Sequence, residues 1–320
     1  GKTCPPPNPP PFPKSPAPGG FFSAAKPATD MTHRLLPFLM TALAPLIWGS
    51  TYLVTTTYLP PERPLTAAVL RALPAGLLLL LWTREWPRRQ EVARLIVLGI
   101  LNIGLFQAML FISAYRLPGG LAAILNSTQT LWVLAFMALA GTRPPRLAWL
   151  SAALGVIGIV LLVASPQTQL DSLGIAAALC AALSMAAGII FTKRWHLHLS
   201  VLALTGWQLC IGGLCLLPFA LWREPPLPAL GVRHIGGYLY LSLCGALLAY
   251  VLFFRGVRHL SPATVTSLGL LSPLCAFALG WIFLDQHFGW RAITGFALVL
   301  ASIYGVQRAT ACMAKSQSMV

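Results

Sequence analysis

From Leu35 to Val306 the chain is a succession of long apolar runs separated by short polar or charged breaks. A helix crossing a bilayer needs about 20 consecutive apolar residues. Ten such runs can be placed, near 35–58, 64–82, 92–114, 118–140, 147–165, 172–192, 199–222, 235–254, 261–284 and 289–307. The breaks carry turn and charge signals: Pro60-Pro61-Glu62-Arg63-Pro64, the stretch from Arg84 to Arg94, Arg143-Pro144-Pro145-Arg146 and Arg223-Glu224-Pro225-Pro226. The runs are continuous rather than alternating, which argues against a β-barrel. With only 9% charged residues, against roughly 25% in soluble domains, the composition agrees. Ten spans consume about 200 residues, which leaves no room for a soluble catalytic domain. The expected fold is therefore an all-α polytopic membrane protein.

Residues 1–30 differ in kind. They hold ten of the 27 prolines, a composition suited to polyproline II or disorder and unable to build a core. Met31-Thr32-His33-Arg34 looks like a natural start, so this Pro-rich tail reads either as a docking segment or as an extension that is not native. The net charge of +15 reports topology rather than nucleic acid, because no basic cluster exceeds a short loop. With the N-terminus inside, inner regions from Met31 onward carry thirteen Lys and Arg and outer loops five (Arg63, Arg116, Arg223, Arg233 and Arg291). That bias places both termini in the cytoplasm. The cysteines within the runs have neither metal-ligand spacing nor a CxxC pair, so no metal or other cofactor is expected.

A weak internal repeat is visible. Tyr115-Arg116-Leu117-Pro118-Gly119-Gly120 leads into the fourth run as Arg258-His259-Leu260-Ser261-Pro262-Ala263 leads into the ninth, 143 residues later. Five spans per copy is odd, so the second copy enters the membrane from the opposite side. The expected architecture is ten transmembrane helices as two inverted five-helix repeats, 31–165 and 166–308, followed by a cytoplasmic tail, 309–320. Such repeats place a substrate site near the bilayer midplane in many secondary transporters.

Charge inside a span is costly and usually functional. All seven acids fall in loops or at span ends, whereas Arg71 lies seven residues after Pro64, about 10 Å into the second span. It either meets a substrate carboxylate or an electron-rich ring, or snorkels to the interface and caps carbonyls. In the first span Trp48, Tyr52 and Thr55 share one face, a polar-aromatic stripe suited to a flat ligand or to helix packing. Pro45 removes a backbone hydrogen bond there, and Gly49 permits close approach. The fourth span carries Asn126-Ser127-Thr128-Gln129-Thr130, with Asn126, Gln129 and Thr130 read as pore-lining or as polar glue between helices. Asn102, Gln107, Trp207, Gln208 and Tyr250 are further candidates with the same two readings, and Pro273 frees the carbonyl of Gly269 in the ninth span. Ser151, Gly155 and Gly158, with Ala301 and Gly305, read as small-residue packing surfaces. His196, His198 and His259 read as solvated.

Trp48-Gly49-Ser50-Thr51-Tyr52, Arg63-Pro64-Leu65-Thr66-Ala67-Ala68, Leu70-Arg71-Ala72-Leu73-Pro74-Ala75-Gly76 and Asn102-Ile103-Gly104-Leu105-Phe106 resemble the drug/metabolite transporter superfamily. The resemblance covers about Leu35 to Val306 as two EamA-type repeats and is strongest to the branch that includes exporters of the blue pigment indigoidine. It implies export of small metabolites across a bacterial inner (plasma) membrane by alternating access, with Trp48, Tyr52 and Arg71 lining the path and Pro273 acting as a hinge beside Pro45 and Gly49. Two positions depart from the pattern: Thr130 stands where relatives have proline, and Thr142 where they have glutamate. These departures predict asymmetry between the repeats. The partners expected are a small-molecule substrate and the lipid bilayer, with no nucleic acid and a homodimer left open. Import or exchange of sugars or organic phosphates is the nearest alternative. A membrane enzyme or a non-transporting scaffold would need a catalytic constellation or large loops, and the sequence offers neither.

Overall fold

The computed structural model describes residues 31–141, 144–163, 171–257, 268–286 and 289–317. The Pro-rich segment 1–30, Thr142 and the second repeat signature, Arg258 to Ala263, lie outside the described residues. Within them the helices are α1 (Met31–Tyr58), α2 (Pro64–Thr83), α3 (Arg89–Arg116), α4 (Gly119–Leu139) and α5 (Arg146–Val163). Then come α6 (Ser172–Arg194), α7 (Val201–Arg223), α8 (232–257), α9 (Leu271–Phe283) and α10 (Trp290–Gln317). Among the described residues eight helices are long and apolar enough to cross a membrane, and α5 and α9 add two shorter apolar ones. No strand occurs among them. The chain is an all-α polytopic membrane protein. The helix α10 continues to Gln317, so residues 309–317 of the expected tail are helical. Ala, Lys, Gln and Met are good helix formers, and a polar composition does not end a helix that has left the apolar layer.

The acids finish helix ends. Asp171 caps α6 by accepting from the Gly174 N–H at 2.8 Å and pairs with Arg116 at 2.7 Å. Glu224 follows α7 and caps α2, accepting from the backbone N–H groups of Leu65 (2.5 Å) and Thr66 (2.8 Å) and from the Thr66 hydroxyl (2.6 Å). Glu85 follows α2 and caps α7, accepting from the Ser200 N–H at 2.7 Å. Because α2 and α7 lie side by side, each helix is capped by the glutamate that trails the other. Glu91 accepts from the backbone N–H groups of Arg88 and His198 and pairs with the His198 ring. His198 is therefore engaged rather than merely solvated.

Lipid offers no hydrophobic drive for helices to associate, so close packing of small residues must supply it. The α5/α10 pair shows this most clearly. A Cβ added at Gly155 would strike Ser302, one at Gly305 would strike Ser151, and one at Gly158 would sit 2.8 Å from the Gly295 carbonyl oxygen. Ser302 fills the place expected of Ala301, which is exposed.

The helix pairings repeat under a shift of five. Contacts of α1 with α8 and α9 recur as those of α6 with α3 and α4, and α2 on α8 recurs as α7 on α3. The pairs α2/α7, α4/α9 and α5/α10 map onto themselves. Local irregularities repeat as well. Segments of π-helix occupy Ile100–Leu105 in α3 and Tyr240–Leu248 in α8. A turn-like residue interrupts α4 at Thr128 (φ −63°, ψ −8°) and precedes α9 at Leu270 (φ −67°, ψ −15°).

The interruption of α4 forms without a proline. Asn126 donates to the Ala122 carbonyl, Ser127 to that of Ala123 and Thr128 to that of Leu125. Such side-chain bonds compete with the backbone ladder and bend helices. Thr130 therefore does not cost the first repeat its break, contrary to the asymmetry expected at that position.

Candidate functional site

The site forms where α1 and α2 meet α8, and the π-helical turn of α8 determines its chemistry. Ala249 N–H bonds the carbonyls of Cys244 and Ala246, passing over Gly245, which an α-helix would have given it. The Gly245 carbonyl instead accepts the Trp48 indole N–H at 3.1 Å and the Arg71 Nη2–H at 3.2 Å. A Cβ at position 245 would lie in ordinary contact with the Arg71 guanidinium, 3.8 Å from Nε. One backbone oxygen thus ties an aromatic residue of α1 and a cation of α2 to the opposite half of the molecule.

Around that oxygen lies a largely aromatic shell. Trp48 packs against Tyr250 and Phe253 with ring centres 5.5 and 5.3 Å apart. Ser50 shares a 2.7 Å hydrogen bond with the Tyr240 phenol. The guanidinium of Arg71 stands 5.8 Å from the centre of the Phe111 ring, within reach of a cation–π attraction. The phenols of Tyr250, Tyr52 and Tyr240 lie within electrostatic range of it. Tyr52 also receives the Asn126 amide at 3.2 Å, which ties α4 to the same group. Arg71 is only 5% exposed, so the cation does not snorkel. Its Nε and Nη1 have no hydrogen-bond partner among the described residues.

Of the residues singled out in the sequence, Trp48, Tyr52, Arg71, Asn126 and Tyr250 come together here. Thr55 is fully buried with its hydroxyl bonded to the Thr51 carbonyl of its own helix. Gln129 and Thr130 are half-buried beyond the break in α4. Trp207 lies elsewhere: its indole donates to the Glu85 carbonyl at 2.9 Å and packs on Trp86. It lines a groove of about 370 Å³ with Leu77, Leu80, Leu81 and Arg84 at the end of α2. Gln208 accepts from Asn102 at 2.9 Å, and Asn102 also donates to Thr192 at 3.3 Å. This neutral cluster of α3, α6 and α7 is the repeat-related counterpart of the Arg71 site, and there Ser184 serves the Leu101 carbonyl of the π segment at 2.7 Å.

Gly49 meets α9 rather than open space, with an added Cβ falling 2.5 Å from the Ser272 carbonyl oxygen and 2.7 Å from Cys275 Cβ. Cys275 donates to the Leu46 carbonyl. Pro45 sits inside an unbroken α1, one turn before Gly49, and Pro273 in the first turn of α9. Sequence reasoning missed Gly245, Tyr240, Phe111 and Phe253. Only a glycine inside an apolar run, bracketed by two tyrosines, hinted at the first of them.

The EamA-like transporter family model matches this chain twice, over residues 35–164 and 172–308. Protein PecM of Dickeya dadantii (strain 3937) is 43% identical over 267 residues, covering 82% of this chain and 90% of that protein. The Uncharacterized inner membrane transporter YedA of Escherichia coli (strain K12) is 28% identical over 243 residues, 73% of this chain and 78% of its own length. A solved crystal structure superposes with a TM-score of 0.56 at 18% identity, covering 89% of this chain and 99% of its own, a likeness of fold alone. Two family matches laid end to end over a bundle whose contacts repeat in the same two halves leave one assignment: the chain belongs to the EamA-like transporter family.

Proposed function

We propose that this transporter exports small, at least partly aromatic metabolites across a bacterial inner membrane by alternating access. The supporting observation is the aromatic shell of Trp48, Tyr52, Tyr240 and Tyr250 around the Gly245 carbonyl. Its members come from both halves of the repeat, so a rocking of the halves would open the shell to one side and then to the other. The repeats are 31–165 and 166–308, and both termini face the cytoplasm. The bending points are the interruptions at Thr128 and Leu270, together with Pro45, Gly49 and Pro273. The outward direction rests on the resemblance to pigment exporters.

The test compares untargeted metabolite profiles of medium and cells expressing the full chain, the Trp48→Ala variant or an empty vector, at matched membrane levels. Export of this class requires aromatic compounds enriched outside and depleted inside with the wild type, and not with the variant. Accumulation inside the cells would support the importer reading instead. No movement of any compound from correctly inserted protein would refute transport of this class.

A further inference from the structure

The charge at the centre of the molecule exceeds what the fold requires. A guanidinium has five N–H donors, and among the described residues one bond is made, from Nη2 to the Gly245 carbonyl. That carbonyl already has a neutral donor in the Trp48 indole. In the other half, the carbonyl of the matching π segment is served by the hydroxyl of Ser184, and Gln208 occupies the polar cluster of α3, α6 and α7 without any charge. Tying helices to a π-helical turn thus needs no cation.

Among the described residues nothing neutralises it. Glu85 is committed to α7, Glu224 to α2, Glu91 to His198 and Asp171 to α6 and Arg116, while Glu62 and Asp285 are exposed. Phe111 and the three phenols offer rings and dipoles but no negative charge. A buried charge left unpaired is costly, and Nε and Nη1 remain without partners among the described residues.

We propose that Arg71 awaits its counter-ion from the substrate, and that this site takes a monoanionic carboxylate carried on a flat aromatic body. A fork of two N–H groups matches a carboxylate's two oxygens, and the second Nη2–H together with the unpartnered Nε–H or Nη1–H supplies such a fork while the first Nη2–H keeps the Gly245 bond. One positive charge selects a monoanion, because a dianionic phosphate would bring a second charge with nothing to meet it. The aromatic body rests on the reading in the preceding section; the anionic group rests on Arg71 alone.

The test uses the purified full chain and two matched series near neutral pH. One series is indole-3-acetate, tryptophol and tryptamine; the other is phenylacetate, 2-phenylethanol and 2-phenylethylamine. Thermal stabilisation and titration calorimetry give the order of binding within each series. The expected order places the anion first in both, with its affinity reduced about tenfold or more in Arg71→Gln, as loss of a charge-assisted bond implies. If Arg71→Gln fails to fold, Arg71→Lys keeps the charge and must keep the anion first, with weaker binding. Neutral or cationic members binding as well as the anion, an anion preference that survives Arg71→Gln, or no anion binding at all would each overturn the assignment. Neutral aromatics that bind and lose affinity in Trp48→Ala, without any anion preference, would leave the aromatic reading standing and remove only this one.

Discussion

Replacing Glu224 with alanine should destabilise the protein through a helix that Glu224 does not belong to. The carboxylate receives two backbone N–H groups and one hydroxyl at the start of α2, at 2.5, 2.8 and 2.6 Å. Losing a helix cap costs about 0.5–2 kcal/mol, and removing an anion from the positive end of the helix dipole adds about 0.3–1 kcal/mol. Water at this half-buried end recovers part of the loss, so a net of roughly 0.5–2.5 kcal/mol is expected. At about 2 °C per kcal/mol for a chain above 200 residues, the melting midpoint in a fixed detergent should fall by roughly 1–5 °C. Glu224→Gln keeps an acceptor but not the charge, and Thr66→Val removes only the hydroxyl bond, so each should lose about half as much. Fluorescence-detected thermal unfolding of the three variants reads the series directly. An alanine variant that melts with the wild type would refute the claim that this carboxylate holds α2.

Gly49→Ala should lower the melting midpoint by an amount corresponding to about 1–3 kcal/mol, since its methyl group would press on the Ser272 backbone. Gly236→Ala, inside α8 where nothing lies within 4 Å, is the control and should not destabilise; an equal loss at both would show that α1 and α9 are not in close contact. Trp207→Phe should cost about 0.5–1.5 kcal/mol from the lost bond to the Glu85 carbonyl and leave transport intact. Abolished efflux at unchanged stability would instead put Trp207 on the substrate path. Acid should also weaken the end caps. The Ser200 backbone N–H, and after it the Ser200 hydroxyl, hold the Glu85 carboxyl below its ordinary 4.5. The Gly174 N–H, and then Arg116, do the same for Asp171 below 3.8. A depressed carboxylate contributes stability above its unfolded value and loses it as pH falls through the folded one. Midpoints should therefore drop as pH is lowered from about 5 towards about 3, with a shallower slope in Glu85→Gln; identical slopes would remove Glu85 from the cap.

The spans were legible because each spends about twenty residues in one solvent, and a single-solvent run has only two places to end. The end of α10 was not legible, because past the apolar layer helix continuation depends on local propensity rather than on hydropathy. Arg71 stood out as a lone cation in an apolar run, but its depth left burial and snorkelling both open. What it bonds could not be read, since the Gly245 carbonyl is exposed by a change of backbone register that leaves no periodic trace in side chains. Trp207 and Arg71 look alike to a pattern of polar residues in apolar runs. Only the pairing of α2 with α7 separates them, placing Trp207 beside Glu85 and Arg71 beside Gly245. The break in α4 could be anticipated from the polar run 126–130, although the absent proline argued the other way. Hydroxyl and amide groups returning to their own helix produced it.

The exchanged caps also set an order in time during synthesis. Leu65 and Thr66 wait for a carboxylate 159 and 158 residues downstream, which at about 5–20 residues per second on the ribosome is roughly 8–32 s. Ser200 finds its own partner, Glu85, already made 115 residues earlier. The first half of the protein therefore enters the membrane with one helix start still hydrated and is completed only by a nascent chain that has passed its seventh helix. The second half is finished as it emerges. A ribosome that stalls between the two leaves an intermediate whose exposed end is α2, and that end is where membrane quality control would meet it.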